Sequence, residues 1–180
     1  MLNKKVAFIY LQKGLTTVPC LMSFLQLLSK NGYTVDIFTI KDEKSSLRFQ
    51  NVYLHSFPGY YGKNFTLAGL TTIIAILWIL WRCISFKKRY DYIVGVHLFG
   101  LFTAFMVSLL FRIPLIYYNL EMYFAQELKS PLWKLCKKIE ICCSRRSIWI
   151  ITLDRWHVRL LSKEHGISKD RFLILPNTNI

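Results

Sequence analysis

The chain of 180 residues lacks the usual sequence signatures of cofactor and metal sites. It contains neither a G-x-G-x-x-G motif nor a P-loop, which argues against an ordinary dinucleotide or nucleoside triphosphate site. No H-E-x-x-H motif, carboxylate cluster or Ser/His/Asp order is present, so hydrolases and metalloenzymes lack support and we expect no metal. The five cysteines form no C-x-x-C pair, and their odd number favours reduced thiols over a disulfide framework.

Acidic residues are few, and this shortage makes the chain strongly basic. Ten Asp and Glu residues oppose 24 Lys and Arg residues, so the formal net charge is +14. That balance predicts an anionic partner such as phospholipid head groups, a phosphate-bearing substrate or nucleic acid. A nucleic-acid-binding module is the weaker alternative, because the sequence lacks the signatures of RNA- and DNA-binding folds, and we expect no specific nucleic acid partner.

Strand and helix patterns alternate along the whole chain. Hydrophobic residues make up 53% of it, which excludes disorder and allows one domain with a substantial core. Apolar and β-branched runs predict strands at 6–11, 34–40, 52–57, 92–96, 115–118, 148–153 and 172–175. Helical spacing predicts helices at 19–30, 65–88, 99–111, 131–146 and 156–165. This order predicts a single α/β domain with a Rossmann-like, doubly wound parallel sheet and helices on both faces.

One apolar segment raises the question of a membrane span. Residues 67–81 are almost uniformly apolar and are soon followed by Lys87-Lys88-Arg89. Taken alone, they could anchor a membrane protein without enzymatic activity, which is the alternative function. Arg82 ends the run short of the roughly 20 residues that a bilayer requires, so we favour a helix of the α/β domain.

A basic amphipathic helix is predicted at 131–146. At about 100° per residue, one arc holds the apolar side chains: Leu132, Leu135, Cys136, Ile139, Cys142 and Cys143. The opposite side holds the basic ones: Lys134, Lys137, Lys138 and Arg145. The apolar arc packs on the sheet or enters a membrane interface, and in either arrangement the basic face can contact lipid phosphates. We therefore expect the four basic residues to face an anionic membrane surface.

The candidate catalytic residues follow predicted strands. Ligands of an open parallel sheet bind beyond the carboxyl ends of its strands. His97 directly follows one strand, and its imidazole could take a proton from an acceptor hydroxyl near neutral pH, unless it only packs or caps a helix. Glu121 follows the next strand and could act as a base or bind sugar hydroxyls, unless it only stabilises a helix N-terminus.

Further positions at strand ends are candidates for binding the molecule that carries the acceptor hydroxyl: Gly14, Tyr118, Asn119, Asp154 and Arg155. Gly14 would let the backbone approach a ligand closely, or it is a turn glycine. Asp154 is better explained as a helix cap, whereas Arg155 could point toward a phosphate.

These landmarks together resemble the N-terminal domain of GT-B glycosyltransferases of family 4. The resemblance covers nearly the whole chain and is carried by a series of short segments in order: the opening strand from Lys5 to Tyr10, Asn31-Gly32-Tyr33-Thr34-Val35, Tyr90-Asp91-Tyr92-Ile93-Val94 before His97, Ile113-Pro114-Leu115-Ile116-Tyr117 before Glu121, the helix with Glu140, Thr152-Leu153-Asp154-Arg155, and Gly166-Ile167 through Pro176-Asn177. Many members of the family have a histidine where this chain has Leu120. Leucine cannot accept a proton, so Glu121 or His97 takes that role here or the role does not exist.

The resemblance implies a function for the whole enzyme. Members have two Rossmann-like domains, of which the first binds an acceptor, often lipid-linked or a polysaccharide precursor, and the second binds a nucleotide sugar. Residues 1–175 would be the acceptor domain and 176–180 the start of the linker, with the donor domain absent and the fragment alone inactive. We expect no cofactor beyond the nucleotide-sugar donor. The expected location is the cytoplasmic, inner face of a membrane, with a separate C-terminal half as a further partner.

Overall fold

A computed structural model describes residues 4–12, 15–40, 49–58, 65–85, 90–121 and 130–176. In the helix that begins at Phe65, the side chains are described from Gly69 onward. The seven strands are β1 (Lys5–Tyr10), β2 (Thr34–Ile40), β3 (Val52–Phe57), β4 (Tyr92–Val96), β5 (Leu115–Tyr118), β6 (Trp149–Thr152) and β7 (Phe172–Ile174). The α-helices are α1 (Pro19–Lys30), α2 (Phe65–Ser85), α3 (His97–Phe111), α4 (Pro131–Arg146) and α5 (Arg155–His165), and Leu15–Thr17 and Lys169–Arg171 form 3₁₀ turns. Gly14, Lys87 to Arg89 and Asn177 lie outside the described residues.

All seven strands are parallel and lie in one sheet in the order β3-β2-β1-β4-β5-β6-β7. The chain runs outward from β1 to β3, then returns to β4 on the other side of β1. The crossover direction therefore reverses between β1 and β4, which is where ligands bind in doubly wound sheets. The predicted fold class, a Rossmann-like α/β domain, is confirmed.

Alternating side chains of the strands build two cores, one on each face of the sheet. Ala7 and Ile9 of β1 belong to the core that also contains buried residues of α2, α3, α4 and α5. Val6 and Phe8 belong to the core on the opposite face, which α1 covers with Leu21 and Leu25. Helices thus lie on both faces, because the strands are apolar on both sides and each face must be shielded from water.

Helix α2 is part of this domain. Thr72, Ala75, Ile79 and Cys83 lie on its buried side against the sheet core. Its opposite side exposes an apolar stripe: Leu70, Ile73, Ile74, Leu77, Trp81 and Ile84. Within the described ranges, no helix is long and apolar enough to cross a membrane.

Helix α4 packs differently from the sequence prediction. Lys137, Glu140, Cys143 and Ser144 are its buried residues, whereas Leu132 and Leu135 of the predicted apolar arc are exposed. The side chain of Lys137 is only 3% exposed, so the prediction that it faces a membrane is wrong. The reason is a buried ion pair with Glu140 and Glu164, which lets the lysine point toward the core.

Candidate functional site

A pocket of about 320 Å³ lies beyond the carboxyl ends of β1, β4 and β5. Its walls come from the end of β1, the start of α3, the end of β5 and the part of α4 from Trp133 to Glu140. The lining residues are Leu11, Gln12, Val96, His97, Leu98, Phe99, Gly100, Tyr117, Glu121, Trp133, Cys136, Lys137 and Glu140. The pocket therefore brings together the two predicted catalytic residues, His97 and Glu121, at the position where the sheet changes its winding direction.

His97 is positioned by a junction in which β4 leads into α3 without a loop. Its backbone has a φ of 55°, a left-handed conformation that is uncommon for residues other than glycine. Two glycines permit this sharp junction. A Cβ atom on Gly95 would lie 2.5 Å from the Cα of Leu101, and one on Gly100 would lie 2.5 Å from the carbonyl oxygen of Ile9. The helix can therefore press against β4 and β1, and it begins two residues earlier than the predicted position 99.

The imidazole of His97 is suited to remain neutral. Burial lowers its pKa, and the nearby charge of Glu121 opposes this effect only in part. A neutral imidazole can both donate and accept a hydrogen bond. Its ring also lies beside Tyr10, with ring centroids 6.2 Å apart. Glu121 is exposed and also lines the pocket, three residues beyond the end of β5.

Tyr118 and Asn119, two predicted acceptor-binding residues, do not line the pocket. Tyr118 points to the opposite face of the sheet, where its ring meets Phe24 of α1 edge-on at 5.4 Å between centroids. The buried Asn119 donates a hydrogen bond from Nδ2 to the hydroxyl oxygen of Tyr117 at 2.7 Å. Asn119 thus supports the pocket wall from behind, and direct acceptor contacts by these two residues stay predictions.

A buried polar network forms part of the pocket wall, and the sequence reasoning missed it. The Tyr117 hydroxyl donates to Oε1 of Glu140 at 2.7 Å, and Lys137 Nζ lies 3.1 Å from Oε2 of the same carboxylate. Burial, and then the charge of Glu140, raise the pKa of Tyr117 well above its usual range, so its hydroxyl stays a donor. The i, i+3 spacing of Lys137 and Glu140 is the signal in the sequence that could have indicated this ion pair.

The network continues from α4 to helix α5. Lys137 Nζ also lies 3.1 Å from a carboxylate oxygen of Glu164. The neighbouring His165 is fully buried and its Nδ1 lies 2.8 Å from the Ser144 hydroxyl. Burial, followed by the positive charges of Lys137 and Arg145, lowers the pKa of His165 to about 3. Glu164, Ser144 and His165 are not among the lining residues and act as support for Lys137 and Glu140.

Asp154 caps helix α5, as the helix-cap interpretation anticipated. Its carboxylate accepts hydrogen bonds from the backbone N–H and from Nδ1 of His157, both at 2.8 Å. These hydrogen bonds lower the pKa of Asp154. Asp154 and the exposed Arg155 lie beyond β6 and do not line the pocket, so their roles in acceptor binding stay predictions.

The other basic residues of α4 remain exposed. Lys134 and Lys138 are at the surface, next to the exposed Trp133 and Leu135. Arg145 is exposed as well, but its Nε donates to the carbonyl oxygen of His165 at 2.7 Å, so it also joins α4 to α5. Among the residues that the structure describes, no group of three His, Cys, Asp or Glu could hold a metal ion.

Comparison with known proteins identifies the family. Residues 20–178 match the family description Glycosyltransferase Family 4. No curated protein sequence matches the chain significantly.

Solved structures match the fold across nearly the whole chain. HepE of Anabaena, in complex with UDP and glucose, has 13% identity and a TM-score of 0.68, covering 97% of this chain and 44% of that one. Sucrose-phosphate synthase of Thermosynechococcus elongatus has 12% identity and a TM-score of 0.71, covering 96% and 48%. MurG of Acinetobacter baumannii has 12% identity and a TM-score of 0.52, covering 83% and 41%. This chain thus spans less than half the length of these relatives. The chain belongs to glycosyltransferase family 4 and has the fold of the N-terminal half of a GT-B enzyme.

Proposed function

We propose that this domain binds the acceptor of a sugar-transfer reaction in the pocket between His97 and Glu121. The observation that carries the proposal is that both residues line one cavity at the reversal point of a family 4 domain. In the complete enzyme, a second domain would present a nucleotide sugar to this cavity. The acceptor would be a lipid-linked sugar or a polysaccharide precursor.

In the proposed reaction, Glu121 removes the proton from the acceptor hydroxyl as its oxygen attacks the anomeric carbon of the donor sugar. The bond from that carbon to the nucleoside diphosphate breaks, and the diphosphate leaves with the electron pair. Glu121 suits this role because it is an exposed carboxylate at a strand end, whereas His97 is partly buried and its pKa is lowered. The neutral His97 holds a hydroxyl of the sugar ring by hydrogen bonding.

The proposal predicts no transfer by this chain alone, because the nucleotide sugar would be bound mainly by the second domain. Transfer to lipid-linked acceptors is measured with a panel of nucleotide sugars, for this chain alone and with a C-terminal donor domain supplied. Glu121→Gln should lower kcat by about 100-fold or more, whereas His97→Ala should mainly raise KM. Asp170→Asn, an exposed acidic residue away from the pocket, is the matched control. A folded pair without transfer to any acceptor would refute the enzymatic proposal.

We also propose that the outer side of the helix layer rests on an anionic membrane at the cytoplasmic face. The apolar stripe of α2 and the exposed Leu132, Trp133 and Leu135 of α4 lie on helices that both pack against α3. The exposed Lys134 and Lys138 of α4, together with a net charge of +14, complement anionic head groups.

Vesicle flotation tests this surface. Binding to phosphatidylglycerol vesicles should exceed binding to phosphatidylcholine vesicles and should weaken with salt. Leu77→Asp should reduce vesicle binding, whereas Leu27→Asp, at another exposed apolar site on α1, should not. Equal losses in both variants would refute the assignment of the surface. A chain that binds vesicles but no sugar would favour the non-enzymatic membrane protein.

A further inference from the structure

The described residues give the pocket a net negative charge, whereas the whole chain is strongly basic. Among the residues that the structure describes, the titratable groups at its walls are His97, Glu121, Lys137 and Glu140, with the Cys136 thiol and the Tyr117 phenol uncharged. Glu164 reaches the same site from α5 through its ion pair with Lys137. With His97 neutral, three carboxylates and one ammonium leave an excess of two negative charges. The helix N-termini of α3 and α4 each contribute about half a positive charge, which reduces this excess without reversing it.

The positive charge of Lys137 is already outweighed by its carboxylate partners. Its ammonium lies 3.1 Å from Glu140 and 3.1 Å from Glu164, so two carboxylates already compete for it. A phosphate or carboxylate beside this ammonium would therefore meet two negative charges and one positive charge, which gives a net repulsion. Arg145 cannot substitute for it, because it packs against the His165 carbonyl and does not line the pocket.

The remaining groups suit a polyhydroxylated ring without an anionic group. The carboxylates of Glu121 and Glu140 are hydrogen-bond acceptors for hydroxyl groups. The half-exposed ring of Trp133 and the Phe99 side chain supply apolar surface for the C–H face of a ring. Such a combination of an apolar wall with a few polar groups is typical of small-molecule sites.

We propose that this pocket selects an uncharged or amino-substituted acceptor sugar and rejects uronic acids and other acidic sugars. The inference rests on the proposed acceptor-binding function and deepens it by naming the class of ring. A phosphate that joins the acceptor to a lipid would therefore lie outside the pocket.

Matched sugar pairs test the charge selectivity directly on the folded chain. The probes are methyl glucoside and methyl glucuronide, N-acetylglucosamine and N-acetylmuramic acid, and glucosamine as a cationic sugar. Binding is measured by saturation-transfer NMR at low salt, which detects weak ligands. At about 6 Å from one unbalanced charge and an effective dielectric constant of about 40, a carboxylate should bind roughly tenfold more weakly than the neutral ring. Glu121→Gln should lower the ratio of the neutral-sugar affinity to the acidic-sugar affinity several-fold, and Asp170→Asn should leave this ratio unchanged.

The outcomes separate the two proposals. The inference is supported if the chain binds the neutral sugar of each pair more tightly, and if this preference becomes smaller in Glu121→Gln but not in Asp170→Asn. Binding of the acidic member as tightly as the neutral one overturns the inference and leaves the acceptor-binding function standing. Binding of no sugar by the folded chain overturns both. The Glu121 position is the primary variant because its side chain is exposed, whereas Glu140→Gln removes a buried partner of Lys137.

Discussion

Replacement of Lys137 by methionine should destabilise the domain strongly, although the residue lies in a sequence that looks like a solvated basic face. The ammonium of Lys137 is buried and lies 3.1 Å from both Glu140 and Glu164. Methionine keeps the length of the side chain but leaves two carboxylates in the interior without their cation. Breaking a buried pair by removing one partner typically costs about 3–5 kcal/mol, which is a large share of the stability of a small domain.

The adjacent Lys138 provides a matched control, because it is exposed on the same helix. Urea unfolding followed by circular dichroism should show a large loss for Lys137→Met and a change within about 0.5 kcal/mol for Lys138→Met. The triple variant Lys137→Met, Glu140→Gln, Glu164→Gln should recover part of the loss, since the unpaired charges are then gone. Equal unfolding midpoints for the two single variants would refute the reasoning that a buried ion pair holds α4 in place.

Three further predictions concern residues around the site. Gly100→Ala should cost about 2–4 kcal/mol in urea unfolding, because its Cβ would meet the Ile9 carbonyl, whereas Gly69→Ala in open space should gain up to about 1 kcal/mol; equal effects would contradict the close-packing argument. Asp154→Ala should lower the free energy of unfolding by about 1 kcal/mol at pH 7, because the helix cap of α5 is lost. Because the folded pKa of Asp154 is lowered, that loss should shrink as pH falls below the ordinary value of 3.8, and a loss that persists at pH 2 would count against the cap. His165 has a folded pKa of about 3 against an ordinary 6.5, so acidification from pH 7 to 5 should cost about 2 kcal/mol of stability. The loss of unfolding free energy between pH 7 and pH 5 should be smaller in His165→Gln. An unchanged loss in that variant would show that His165 is not its source.

The strand and helix bounds were largely predictable from the sequence. Thr34–Ile40, Val52–Phe57, Tyr92–Val96 and Leu115–Tyr118 are strands with the predicted limits, because their apolar runs are bordered by Gly, Pro and polar residues. The start of α3 was not predictable from periodicity. The junction at His97 depends on the contact between Gly100 and Ile9, which are far apart in the sequence.

The site was predictable only in part, and strand geometry explains which of its residues could be predicted and which were missed. His97 and Glu121 could be placed together because the carboxyl ends of neighbouring parallel strands lie at one edge of the sheet. Tyr117 was missed while its neighbour Tyr118 was chosen, because adjacent strand residues point to opposite faces and the sequence does not tell which face carries the pocket. The buried position of Lys137 depends on Glu164 in another helix, which helical periodicity on α4 cannot reveal.

The loop-free junction at His97 divides the pocket into a fixed side and a variable side. Any new backbone direction at His97 would require α3 to separate from the central strand, because Gly100 sits directly against Ile9. Substitutions at this junction should therefore be poorly tolerated. Its backbone is ordered when the domain folds, before any ligand binds. Changes in acceptor choice among descendants of this sequence should instead accumulate across the pocket. The variable positions would be those on the exposed early turns of α4, such as Trp133, where a substitution alters the wall without disturbing the sheet.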